Sequence, residues 1–150
     1  MRKLIVAAMC ALGLVAMSTS ATAETTAEPP PSSSVTVAPG TVAPGATVTF
    51  SVTLSNAEAD PLKGGKLGLG VANGAINQLL DVSTCADCYQ AGNTIRYDIG
   101  DVPLNGTKTF TFSIGVFANA QLGQYGIEHQ FVGDNYSYET LSGPTITVTR

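Results

Sequence analysis

The sequence predicts an all-β protein, an antiparallel β-sandwich of about seven strands. Apolar and polar residues alternate with period two in several short segments, which is typical of strands that bury one face. Clusters of Gly, Pro, Asn and Asp separate these segments, as expected for turns between strands. The nearest approach to a helical stripe, GAINQLLDVS (74–83), fits a strand or a single turn better. Two sheets packed on their apolar faces account for the pattern.

The alternation is clearest in ATVTFSVTLSN (46–56). Val48, Phe50 and Val52 lie on one face, and the threonines and the serine between them lie on the other. Outward faces rich in threonine stay soluble without many charges, which fits the charged fraction of 12%. The other strands are predicted in SVTVAP, KLGLGVA, TIRYDI, TKTFTFSIGVF, QYGIEHQF and PTITVTR.

The N-terminus predicts export. Arg2 and Lys3 precede an apolar run from Leu4 to Met17, and Ala21-Thr22-Ala23 follows. A charged start, a short apolar stretch and an A-x-A site are typical of a secretory signal peptide, predicted here over residues 1–23. The apolar run is too short for a stable membrane span. We therefore expect a secreted protein, extracellular or cell-wall associated, with no membrane span after signal cleavage.

Two segments follow the predicted signal peptide. Residues 24–34 contain three consecutive prolines and a serine run, so we expect a disordered leader. Residues 35–150 form the predicted domain, and the mature chain is long enough for one domain with its own core.

The charge balance of the mature chain is acidic. Removing Arg2 and Lys3 leaves five of the seven basic residues against eleven acidic residues, a net charge of −6. A nucleic-acid partner or an anionic membrane requires a basic patch. We therefore expect neither as a partner.

Export leaves two cysteines, Cys85 and Cys88, because Cys10 belongs to the signal peptide. An oxidising compartment favours a disulfide that clips one loop. A redox centre requires a helix N-terminus at the first cysteine, whereas a turn and a strand follow here. A zinc site requires at least three protein ligands, so it would need His129, which lies on the apolar face of its strand. We predict a Cys85–Cys88 disulfide, no metal and no cofactor.

Catalytic signals are sparse. Gly-x-Ser-x-Gly does not occur, and a Ser–His–Asp triad would have to use the inward-pointing His129. Glycosidase chemistry requires two carboxyl groups across a cleft, and a sandwich of this size seldom has one. We predict no catalytic residues and no enzyme activity.

Three segments of the sequence resemble a known group of protein domains. SVTVAPGTVAPGATVTFSVTLSN (34–56) looks like the opening of bacterial secreted immunoglobulin-like domains, where a Pro-Gly turn, here Pro44-Gly45, leads into a strand that ends at an Asn, here Asn56. Such domains include the one associated with alpha-galactosidases and short repeats of surface proteins. IGDVPLNGTKTFTFSIGV (99–116) resembles their long Thr- and Phe-rich strand, whereas GGKLGLGVANGAINQLLDVSTCADC (64–88) departs from their usual spacing. The resemblance implies an immunoglobulin-like sandwich that binds rather than catalyses.

The segment ANAQLGQYGIEHQF (118–131) resembles the Leu-Gly-x-Tyr corner of these domains. Tyr125, two residues after a glycine at the entry to the penultimate strand, suits a tyrosine corner whose hydroxyl bonds back to the connection between the sheets. The alternative is a tyrosine that contacts a ligand.

The connection GDNYSYETLSGP (133–144) is the candidate binding loop. Tyr combined with Ser, Gly and Asn is the composition of antibody-type binding loops, because Tyr gives a large contact area at small entropy cost. An ordinary polar hairpin is the alternative. The candidate contact residues are Asp134, Asn135, Tyr136, Tyr138 and Glu139.

Carboxylates are also expected to converge at this end of the sandwich. The connection NAEADPLKGG (56–65) should lie beside the candidate loop, which would bring Glu58 and Asp60 towards Asp134 and Glu139. Calcium accepts such oxygen ligands, whereas solvated loop acids are the simpler interpretation.

Three function classes remain open. The first is a secreted immunoglobulin-like module that binds a protein or a cell-surface polymer, and this is the class we predict. The second is a carbohydrate-binding module, which the absence of Trp weakens because sugar platforms rely on exposed aromatic faces. The third is a small secreted enzyme, which the missing nucleophile and base disfavour.

Overall fold

The computed structural model describes residues 33–150. The predicted signal peptide (1–23) lies outside these residues, and so does most of the predicted leader (24–34). Ser33 and Ser34 belong to the first strand, which therefore begins two residues before the predicted start of the domain. Within the described part, no helix is long and apolar enough to cross a membrane.

Strands make up almost all of the regular structure in this part of the chain. Two single turns of 3₁₀ helix, Ile76–Gln78 and Val82–Thr84, flank the fifth strand. The strands are β1 (Ser33–Ala38), β2 (Thr41–Val42), β3 (Thr47–Ser55), β4 (Leu62–Val71), β5 (Leu80–Asp81), β6 (Cys88–Ala91), β7 (Thr94–Val102), β8 (Thr107–Val116), β9 (Gly123–Val132) and β10 (Leu141–Val148).

The strands form two sheets. One has four strands in the order β1-β3-β8-β5, and the other has six in the order β2-β10-β9-β4-β7-β6. Neighbouring strands are antiparallel except for β2, which runs parallel to β10. Seven of the described strands have six or more residues, and they coincide with the seven predicted segments. The predicted all-β antiparallel sandwich is confirmed.

Alternation builds the four-stranded sheet. In β3, Val48, Phe50 and Val52 are fully buried, because every second side chain points at the other sheet. The outward residues pair with β8 as a ladder of hydroxyls, with Thr49 and Ser113 oxygens 2.8 Å apart and Ser55 and Thr107 oxygens 2.9 Å apart. The outer face of this sheet therefore satisfies much of its own hydrogen bonding.

An aromatic stack joins the two sheets. The Tyr97 ring of β7 lies 4.9 Å from the Phe110 ring and 4.6 Å from the Phe112 ring of β8, centroid to centroid. Phe112 in turn stacks on Phe50 at 5.3 Å. Stacked aromatic pairs contribute beyond their buried area, so this column fixes how the sheets face each other.

Asn56 ties one end of the sandwich together. Its side chain is buried, and its amide nitrogen donates to the carbonyl oxygens of Asp60 (2.9 Å), Val102 (3.3 Å) and Pro103 (3.2 Å). These bonds join the β3–β4 connection to the β7–β8 connection. An Asn at the end of β3, the position singled out by the sequence resemblance, thus positions both loops.

The central segment departs most from expectation. β4 begins at Leu62, four residues before the predicted strand, and its pairing with β7 shifts register around Gly65. Cys88–Ala91 forms the edge strand β6, where the sequence predicted only a turn. Its residues are mostly exposed. They therefore lack the alternation of apolar and polar residues from which a strand is predicted.

Candidate functional site

The predicted Cys85–Cys88 disulfide is present, with the two Cα atoms 5.3 Å apart. Cys85 is buried at the end of a 3₁₀ turn, and Cys88 begins β6. The bridge therefore fastens the start of an edge strand to the core. Both sulfurs are committed to the bond, so neither is a thiolate nucleophile or a metal ligand in this state.

Tyr125 makes the hydrogen bond that the tyrosine-corner prediction requires. Its hydroxyl donates to the Gln121 carbonyl oxygen at 2.7 Å, four residues back. Gln121 lies in the connection from β8 to β9, where the chain passes from one sheet to the other. The contact braces this crossover.

The β9–β10 loop and the β3–β4 connection lie at the same end of the sandwich, as the sequence predicted. The Lys63 amide donates to Asn135 Oδ1 at 2.8 Å, and Asn135 Nδ2 donates to the Pro61 carbonyl at 3.0 Å. The Asp134 amide donates to the Lys63 carbonyl at 2.9 Å. Hydrogen bonds between polar groups of the two segments hold them together.

Tyr136, a candidate contact residue, turns back onto the core instead of projecting from this loop. Its ring is half-buried against the core, and a Cβ on Gly133 would collide with it. Its hydroxyl lies above Gly65, and no described residue offers it a hydrogen-bond partner. Burial, followed by the charges of Asp101 and Asp134, raises the pKa of Tyr136 to about 12. The glycines on either side let the ring turn inward.

Tyr138 also turns back onto the protein. Its hydroxyl donates to Glu58 Oε1 at 2.7 Å, and its ring lies 5.1 Å from the Tyr136 ring. The Tyr138 amide donates to the Phe131 carbonyl at 3.0 Å. The two tyrosines therefore pack over the core at this end of the sandwich, and their role as contact residues stays a prediction.

Two carboxylates at this end have separate partners. Glu58 accepts from Tyr138, whereas Asp101 accepts from the Gly64 amide and from Lys63 Nζ, both at 2.9 Å. The Gly64 hydrogen bond, and then that of Lys63, hold the pKa of Asp101 below its usual 3.8. Among residues 33–150, no three His, Cys, Asp or Glu side chains are placed to hold a metal ion.

A second site lies on the outer face of the six-stranded sheet. Leu67 and Leu69 of β4 face the core, so Gly68 and Gly70 face outward. The two glycines, lacking side chains, form the floor of a cavity of about 120 Å³ between β7 and β9. We call this cavity the glycine groove. Its other lining side chains include Thr94, Arg96, Glu128, Gln130 and Thr140.

Strand pairing places charges of both signs around the glycine groove. Gly68 pairs with Arg96 of β7 and Gln130 of β9, and Gly70 pairs with Glu128 of β9. Paired residues share a face of the sheet, and β7 and β9 lie about 10 Å apart across β4. Arg96 and Glu128 are half-buried, and neither has a hydrogen-bond or ion-pair partner among the described residues.

His129 lies in the core layer beside the glycine groove. It pairs with Leu69 on one side and Leu141 on the other, and it meets the Phe131 ring edge-on at 5.8 Å. The sequence predicted its burial, and it is 5% exposed. Neither ring nitrogen finds a partner within residues 33–150, and burial lowers the pKa of His129 below 6.5.

Sequence reasoning missed the glycine groove, although one signal was available. In KLGLGVA the outward positions of a strand hold glycine, where other strands hold threonine. Glycine inside a strand often marks close approach of a ligand or another backbone. The flanking Arg96 and Glu128 belong to segments distant in the chain, so only the strand order brings them together.

No family model matches the chain, and no curated protein matches its sequence. Among solved structures it is similar to red sea bream transglutaminase, with 21% identity and a TM-score of 0.57 over 80% of this chain. The chain spans about 15% of the transglutaminase's length, and the likeness concerns the fold alone.

In two further comparisons the match extends over most of the length of the solved structure. One is the CARDB domain of a protein from Pyrococcus furiosus in complex with di-metal ions, with 14% identity and a TM-score of 0.48 over 79% of this chain and 89% of that one. The other is a non-cellulosomal cohesin from the archaeon Archaeoglobus fulgidus, with 15% identity and a TM-score of 0.44 over 79% and 91%. The fold is an immunoglobulin-like β-sandwich. The likeness to the alpha-galactosidase-associated domain stays a prediction.

Proposed function

We propose that the protein is a secreted, non-catalytic binding module that contacts its partner through the glycine groove. The observation that carries this proposal is the pair Arg96 and Glu128, half-buried beside the groove without partners among the described residues. Neither charged group is bound to another side chain within residues 33–150, so both are available to a ligand. A ligand in the groove would supply the missing contacts.

Binding rather than catalysis is supported by the state of the usual catalytic groups. The single histidine of the sequence, His129, is buried, and no described hydroxyl lies within hydrogen-bond distance of its ring nitrogens. A general base must reach the proton that it removes. Cys85 and Cys88 are joined to each other. We therefore place no reaction step on these side chains.

The disulfide and the signal-like N-terminus support export, since disulfides persist in oxidising compartments. A module exported to the extracellular space or the cell wall meets proteins and surface polymers. These are the partner classes that we propose.

Co-sedimentation with cell envelopes of the source organism tests the proposal. Gly70→Val fills the glycine groove, and a Cβ there meets no atom within 4 Å, so the fold should not change. Gly126→Val is the matched control, because Gly126 is equally open and lies outside the cavity on the same sheet. We expect the wild type and Gly126→Val to sediment with envelopes and Gly70→Val to remain in solution. Equal behaviour of the two variants would refute the groove as the contact surface.

A further inference from the structure

We infer that the glycine groove binds one sugar ring of a neutral polysaccharide. This inference rests on the proposed function, because it names the ligand class of the same groove. Its first support is size. The cavity of about 120 Å³ is well below the range of about 300–1,000 Å³ for pockets that enclose a whole small molecule. The groove therefore suits one ring of a longer ligand that continues across the sheet surface.

The charges around the groove favour a neutral ligand. An anion attracted to Arg96 meets the carboxylate of Glu128, and a cation attracted to Glu128 meets the guanidinium of Arg96. The Arg96 guanidinium only donates, the Glu128 carboxylate only accepts, and the Gln130 amide does both. Each sugar hydroxyl donates and accepts, so adjacent hydroxyls on one ring match this mixed set.

An aromatic side chain lies beside the groove. Tyr89 of β6 pairs directly with Arg96, so both side chains share the outer face. Tyr89 is 39% exposed, and it is the one aromatic residue among the large exposed side chains of the described chain. Its ring offers an apolar face with a polar tip, the combination that a sugar ring contacts.

An extended peptide fits the groove less well. Peptides that recognise a sheet through the backbone add a strand at an open edge. The floor of the groove is β4, which is already paired with β7 on one side and β9 on the other. The backbone of β4 therefore has no free ladder to offer, and the lining side chains form no apolar pocket for alternate peptide side chains.

Affinity electrophoresis in native gels tests the inference. The acidic protein migrates through gels containing β-glucan, galactomannan, arabinoxylan or pullulan, which are neutral, or polygalacturonate, which is anionic. We expect at least one neutral polysaccharide to retard the wild type and Gly126→Val equally. Gly70→Val and Arg96→Ala should weaken that binding roughly tenfold or more. High salt should leave it unchanged, since the ligand carries no charge.

Three results would overturn the inference: no retardation by any neutral polysaccharide, retardation by polygalacturonate alone, or equal retardation of Gly70→Val and Gly126→Val. The envelope experiment separates this failure from failure of the proposed function. If Gly70→Val loses envelope binding while no neutral polysaccharide retards the wild type, the groove remains the contact surface and the sugar assignment is wrong. Melting temperatures of all variants establish that they are folded.

Discussion

The polar side chains at the end of the sandwich and those around the glycine groove differ in whether they have partners within the protein. At the end, Asn135, Glu58 and Asp101 all have hydrogen-bond partners on a neighbouring strand or loop. Around the groove, Arg96 and Glu128 have none among residues 33–150. The first region closes on itself, whereas the second leaves charges of both signs unpaired beside a floor of glycine.

The difference shows that the amino-acid composition of a segment does not determine whether its side chains are free to contact a partner. The loop has the Tyr, Asn and Ser content of a binding loop, yet its rings cap the core. The groove is inconspicuous in composition because its floor is made of Gly68 and Gly70.

The largest expected effect tests whether the loop is part of the core. Tyr136→Ala should lower the free energy of unfolding by about 2–3 kcal/mol, because it removes a half-buried ring and leaves a cavity. Chemical denaturation measures this change. Tyr136→Phe is the control, and it should be neutral or slightly stabilising because the hydroxyl has no partner in the described structure. A Tyr136→Ala protein as stable as the wild type would mean that the ring is not part of the core.

A smaller effect is expected from the hydrogen bond between the loop and the β3–β4 connection. Tyr138→Phe keeps the ring and removes the donor to Glu58, so stability should fall by about 1 kcal/mol. Glu58→Gln retains an acceptor and should cost less. If Glu58→Gln costs as much as Tyr138→Phe in chemical denaturation, the hydrogen bond depends on the negative charge of its acceptor.

The two regions should respond to acid in different pH windows. The folded-state pKa of His129 is lowered, so the unfolded chain binds its proton first, and stability should fall as pH drops below 6.5. The folded-state pKa of Asp101 is lowered from 3.8, so its stabilising effect should be lost only below that pH. Melting curves at stepped pH should show that His129→Leu abolishes the first decline and Asp101→Asn weakens the second. An unchanged first decline in His129→Leu would assign it to another group.

The smallest effect on stability is expected in the groove itself. Arg96→Gln should change the free energy of unfolding by no more than about 0.5 kcal/mol, because Arg96 has no partner to lose. Thermal and chemical denaturation both measure it. A loss above about 1 kcal/mol would show that Arg96 supports the sheet, and the contrast between the two regions would disappear.

Much of the architecture follows from periodicity, because one buried face imposes alternation. Val48, Phe50 and Val52 are inward as predicted, and so are Ile127 and Phe131. Strands without a buried face show no such alternation and are not predicted from it. The exposed β6 was taken for a turn, and β2 is too short to show a period.

The site was harder to predict than the fold. Whether Tyr136 points out or in depends on Gly133 and on Gly65, which lies in a bulge of a distant strand. Likewise, Arg96 and Glu128 flank the same groove only because β4 lies between β7 and β9. Local composition contains neither fact, since both arise from strand order and register.

The parallel pairing of β2 with β10 has a mechanical consequence. Thr41 lies beside Thr147, and the Thr147 and Thr149 amides donate to the Gly40 and Val42 carbonyls, both at 2.8 Å. Tension along the chain pulls β2 towards its N-terminal side and β10 towards its C-terminal side. In parallel neighbours these pulls act in opposite directions along one axis, so the strands are loaded in shear and their hydrogen bonds share the force. An antiparallel pair pulled from one end would instead open bond by bond.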